Sequence, residues 1–211
     1  MLSYAFITND HGRFAAIYQR GFELLAMAAL PILAGGAILA EPLLVAIGTE
    51  AYAPAAPVLR LLLIAVVASF LNGFGTHSVT IIGRQKKMVW SYLTAAVLGL
   101  TLYLTLVPRY GMYGAAIGTI FTETLVTIIA HIFVLRAMHF RLRFKQFPKV
   151  ILATLAMSAV AWFLREQNFY LAALASAVVY GVLIIVLKAL PISTIKEIIG
   201  SRGAPVAVPI E

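Results

Sequence analysis

The chain has 211 residues, of which 62% are hydrophobic and only 11% charged, with 16 Lys and Arg against 8 Asp and Glu and no cysteine. A mean hydropathy of +0.97 excludes an ordinary water-soluble domain, in which about a quarter of residues are charged. The lack of cysteine excludes disulfides and thiolate metal sites.

A helix of about 20 apolar residues covers the ~30 Å hydrocarbon core of a bilayer. Six stretches meet this requirement, at residues 22–40, 57–82, 88–107, 112–135, 148–164 and 169–190. The expected fold is all-α, a polytopic membrane helix bundle of about six transmembrane helices. Residues 1–21 read as a cytoplasmic loop or amphipathic lead-in; the opening MLSYAFITNDHGR has neither the basic start nor the long apolar core of a secretory signal. The first span carries Pro31, Gly35 and Gly36. A proline removes one backbone hydrogen bond and kinks a helix, which suits helices bent around a cavity and also occurs as plain packing.

The break TEAYAPAA follows, and Glu41 and Glu50 on its side of the membrane stand against Pro42 and in a turn, which is weak support for paired catalytic carboxylates. The second span carries a polar stripe of Ser69, Asn72, Gly73, Thr76 and Thr80, with His77 beside it. GRQKK separates it from the third span, and the loop PRYG leads into the fourth. There Thr119, Glu123 and Thr127 recur at intervals of four, which sets them on one helical face, with His131 a further step along. A charged side chain at the bilayer centre costs at least ~2.5 kcal/mol. Glu123 therefore either lines a polar cavity, the reading we favour, or bonds a neighbouring helix as packing glue, while the threonines bond their own backbone carbonyls. Gly114 and Gly118 form a GxxxG at the start of the same span, a mark of close helix contact.

The basic loop HFRLRFKQF and the break REQN flank the fifth span. The tail, residues 191–211, begins as an amphipathic stretch with Ile192, Ile195, Ile198 and Ile199 on one side and ends in small residues and prolines, reading as a cytoplasmic surface helix followed by a flexible end. With the N-terminus inside, six crossings place thirteen Lys and Arg on the cytoplasmic side and only Arg60, Arg109 and Arg165 outside. This bias orients both termini to the cytoplasm. It assigns the net charge of +8 to topology and anionic membrane lipids, with no nucleic acid as partner. Arg60, near the outer end of the second span, either snorkels to outer headgroups, the favoured reading, or meets an acidic cargo.

No GxxxxGKS loop, GxSxG elbow or HExxH occurs, and His11, His77, His131 and His139 lack metal-ligand spacing. No catalytic residue, metal or cofactor is expected, and the chain does not read as an enzyme.

The run GTEAYAPAAPVLRLLLIAVVASFLN, then GRQKKMVWSYLTAAVLGLTLYLTLVPRYGMYGAAIGTIFTE, resembles the C-terminal half of bacterial polysaccharide-export flippases of the multidrug/oligosaccharidyl-lipid/polysaccharide superfamily. The family pattern of an outer G-x-x-Y-x-x-A turn, V-L-R, G-R-x-K, P-R-Y-G and G-A-A-I-x-T falls on Gly48 to Ala55 in looser spacing, Val58 to Arg60, Gly83 to Lys86, Pro108 to Gly111, and Gly114 to Thr119. The likeness covers residues 22–135; the last two spans and the tail share only its general character.

The resemblance implies a transporter moving an undecaprenyl-linked sugar repeat unit from the cytoplasmic to the outer leaflet of the bacterial inner membrane, without nucleotide. Such proteins have about twelve to fourteen spans in two lobes around a polar cavity. Six spans would supply only the last helices, so the chain is expected to be part of a longer protein or to join a partner holding the missing N-terminal lobe. The substrate-path candidates are Glu123, Thr119, Thr127, Asn72, Thr76, His77 and Arg60. Two other functions stay open: an ion-coupled drug or metabolite exporter of the same superfamily, and a non-transporting membrane scaffold or assembly partner.

Overall fold

The computed structural model describes residues 1–189. In chain order it contains α1 (Leu2–Ile7), α2 (His11–Ile38), α3 (Ala40–Ile47), a 3-10 turn over Glu50–Ala55, α4 (Ala56–Ile81), α5 (Gln85–Tyr110), α6 (Met112–Met138), α7 (Phe147–Leu164) and α8 (Phe169–Val186). Among the described residues there is no strand, and six helices are long and apolar enough to cross a membrane. The protein is thus an all-helical bundle of the multi-pass membrane class. The amphipathic tail expected at residues 191–211 lies outside the described residues.

Three boundaries differ from the sequence expectation. Residues 11–21 are not a loop but the first turns of α2, because the Asp10 side chain caps the Arg13 amide at 2.9 Å and Phe14 and Tyr18, one turn apart, are fully buried. PRYG is not a loop either. Pro108, Arg109 and Tyr110 finish α5, and Gly111 alone joins α5 to α6, with φ +54°, ψ −130° that a side chain would resist. The break between the first two expected spans is itself helical, as α3 and the 3-10 turn.

In lipid, apolar side chains gain little by leaving a hydrocarbon surround, so close van der Waals fit and interhelical hydrogen bonds carry the assembly. Small residues mark each seam. A Cβ on Gly114 would overlap the Leu106 carbonyl of α5, one on Gly99 would stand 2.7 Å from Thr122 of α6, and one on Gly36 would stand 2.9 Å from Leu63 of α4. The main core lies between α2, α4, α5 and α6 and includes Phe14, Tyr18, Val79, Met88, Val126, Ala130 and Val134. A second core joins α2 to α7 and α8 through Met27, Val150, Ala153 and Ile184. Among the described residues, the backbones of α7 and α8 do not come within 8 Å, Cα to Cα, of α4, α5 or α6, and α2 and α3 bridge the two groups.

Pro31 sits inside α2 and has no N–H to give the carbonyl four residues earlier. That carbonyl, on Met27, accepts a hydrogen bond from the Tyr180 hydroxyl of α8 at 2.5 Å. The defect in one helix is filled by a side chain of another, as irregular backbone at membrane depth requires.

Candidate functional site

Two polar faces were expected, on α4 and on α6, and both exist, but they look in different directions. On α6, Thr127 is buried and its hydroxyl lies 2.8 Å from the Ala68 carbonyl of α4 and 2.7 Å from the Glu123 carbonyl of its own helix. Its donor is thereby engaged in the α4–α6 seam. Thr119, about two turns toward the start of α6, pairs with the Tyr103 hydroxyl of α5 at 2.8 Å and with its own Ala115 carbonyl at 3.0 Å. Between them Glu123 is half-buried. Its Oε2 is shielded and has no hydrogen-bond partner. It is a shielded acceptor on a membrane-length helix with no donor facing it among the described residues.

His131 completes this face in an unexpected way. It is 7% exposed, its Nδ1 lies 2.9 Å from the Thr127 carbonyl, and its ring packs edge-on against Tyr18 and Phe22 of α2. Gly75 of α4 makes the room, since a Cβ there would stand 2.8 Å from Nδ1.

On α4 the stripe turns outward. Asn72 Oδ1 accepts from the Thr76 hydroxyl at 2.9 Å, and Thr76 also meets the Tyr92 hydroxyl of α5 at 3.2 Å. Around this cluster Ser69, Gly73, His77 and Thr80 are exposed. The Thr80 hydroxyl bonds the Thr76 carbonyl, and the His77 ring has no hydrogen-bond partner among the described residues. Both α4 and α5 pack along α6 while meeting each other only briefly.

Arg60 belongs to neither face. At the opposite end of α4 its Nε donates to the Ala37 carbonyl near the end of α2 at 3.0 Å, satisfying a carbonyl of the last helical turn. It lines a cavity of about 390 Å³ with Glu41, Arg165 and Glu166. There Arg165 pairs with Glu166 at 3.2 Å and lies over the Trp162 ring at 3.6 Å. No group of three or more His, Cys, Asp or Glu that could hold a metal occurs among the described residues.

The site residues that composition did not reveal are Tyr92 and Tyr103. A register signal was available. Across a tight turn between antiparallel helices, residues equally distant from the turn face each other; Tyr103 and Thr119 are equidistant from Gly111, and Thr76 and Tyr92 from Arg84.

Comparison with protein-family models, curated proteins and solved structures gives no match.

Proposed function

We propose that this chain is part of a flippase that carries lipid-linked oligosaccharide or polysaccharide repeat units across the bacterial inner membrane, with both termini cytoplasmic, no cofactor and no chemistry of its own. The observation that supports this reading best is the outward polar stripe of α4. Ser69, Gly73, His77 and Thr80 are exposed in the middle and inner part of a membrane-length helix, and of these Ser69 and His77 carry polar side chains with no hydrogen-bond partner among the described residues, which bare lipid would leave unsatisfied. The stripe calls for an aqueous path or a second helical body facing it, which is what a two-lobed flippase supplies. Asn72, Thr76 and Tyr92 would offer the path neutral hydroxyl and amide groups suited to sugar. The three basic groups at the far end, Arg60, Arg109 and Arg165, would stand at the outer headgroups.

The absence of cysteine makes the test clean. Single cysteines at Ser69, Gly73 and Thr80 are expected to react with a water-soluble, membrane-impermeant maleimide in native membranes, and cysteines at the exposed α5 positions Leu98 and Leu100 to stay unlabelled. Equal silence at both sets would remove the aqueous path.

A second reading, an ion-coupled exporter of the same superfamily, draws on the unpartnered Glu123 Oε2. It expects Glu123→Gln to lose transport while folding normally, since Thr127 bonds the backbone of residue 123 and not its carboxyl. Transport by Glu123→Gln indifferent to proton and sodium gradients would leave only the first reading.

A further inference from the structure

At the basic end of the bundle a groove of about 640 Å³ lies between the first turns of α2 and the segment that follows α6. One wall is formed by Gly12, Ala15 and Ala16, whose small side chains leave the space open; the other is formed by Phe140, Arg141 and Arg143. Gln19 fixes the second wall to the first. Its Nε2 donates to the Arg143 carbonyl at 2.5 Å, and its Oε1 accepts the Arg143 amide at 2.9 Å. A carboxamide that holds one residue's backbone from both sides sets where that residue's side chain emerges.

The charge around the groove is predominantly basic. Arg141 and Arg143 are exposed and have no carboxylate partner among the described residues. Two acids lie nearby, each held by a neutral amide and neither paired with Arg141 or Arg143: Asp10 accepts the Arg13 amide, and Glu23 accepts the Gln19 amide at 2.7 Å. Depth follows from the sequence, because the apolar run of α2 begins immediately beyond these turns, at residue 22. Phe22, Phe144 and Phe147 cluster there, with centroids 5.0 to 6.4 Å apart, an apolar patch that continues the hydrocarbon-facing run and leaves the arginines on its polar side. The groove therefore sits in the headgroup layer.

We propose that this groove is a binding site for the phosphate of an anionic membrane lipid, held by the Arg141 and Arg143 guanidiniums above the small-residue wall of α2. Two guanidinium forks suit a phosphodiester, which offers two unesterified oxygens to bidentate donors. A neutral lipid gains nothing from them, and a zwitterionic headgroup brings its own cation into a positively charged groove.

The test uses the full chain in detergent micelles, titrated with short-chain phosphatidylglycerol, short-chain phosphatidylcholine and inorganic phosphate, with bound lipid read by native mass spectrometry. Phosphatidylglycerol is expected to bind in preference to the other two. The double variant Arg141→Gln, Arg143→Gln is expected to weaken it at least about fivefold more than Lys145→Gln, Lys149→Gln, which removes the same charge outside the groove. Ala16→Leu, at an exposed helix position where folding is undisturbed, is expected to weaken binding with no change of charge. Equal losses in the two double variants, an unaffected Ala16→Leu, or inorganic phosphate binding as well as the lipid would each overturn the proposal.

Discussion

Pro31 and Tyr180 illustrate how much can hang on a single missing N–H. The Met27 carbonyl has lost its helical donor and gained a phenolic one. Leaving a shielded carbonyl unpaired costs about 1–3 kcal/mol. Tyr180→Phe is therefore expected to lower stability by about 1–2 kcal/mol, measured by denaturant unfolding in micelles. In a Pro31→Ala background the helix regains its own donor, and the same change is expected to cost less than about 0.5 kcal/mol. Equal losses in the two backgrounds would mean that the hydroxyl does not serve that carbonyl.

At the scale of the helix, glycines of similar sequence setting separate by what faces them. Gly114 abuts the Leu106 backbone, whereas nothing stands within 4 Å of a Cβ placed on Gly73. Gly114→Ala is expected to cost roughly 2 kcal/mol or more by forcing α5 from α6, and Gly73→Ala to stay within about 0.5 kcal/mol, both by the same unfolding measurement. The tie between α2 and the segment after α6 gives a third expectation. Gln19→Ala removes two hydrogen bonds to the Arg143 backbone, so trypsin should cut at Arg141 and Arg143 several-fold faster, while cleavage at the distant Arg109 is unchanged.

The helices themselves were legible because membrane length and apolarity are written into composition; α7 and α8 begin within a residue of their expected starts. Helix ends were less legible. Extension to His11 depends on a cap at Asp10 and on partners for Phe14 and Tyr18 that lie far along the chain. The polar faces were readable as faces, since the helical period places Thr119, Glu123 and Thr127 together. Their directions were not, because rotation about the helix axis is set by neighbours: Ala68 draws Thr127 inward, while Ser69 next to it is left outside. Periodicity carried no word of Tyr92 or Tyr103, which enter through hairpin register.

Across the whole molecule, α6 is flanked by α4 and α5 along its length, whereas α8 rests on α7 with short contacts to α2 and α3. Amides of α8 are therefore expected to exchange with deuterium faster than those of α6 in micelles, with α7 between them. Uniform exchange across the six long helices would argue for a single cooperative body. The same asymmetry orders the events of biogenesis. Met27 and Tyr180 lie 153 residues apart, so from the synthesis of the first until that of the second the Met27 carbonyl lacks its phenolic donor. Arrival of the α7–α8 hairpin supplies it. The proline thus couples two distant stages of synthesis: a chain that stalls before α8 carries an unmet polar group, and one that includes α8 does not.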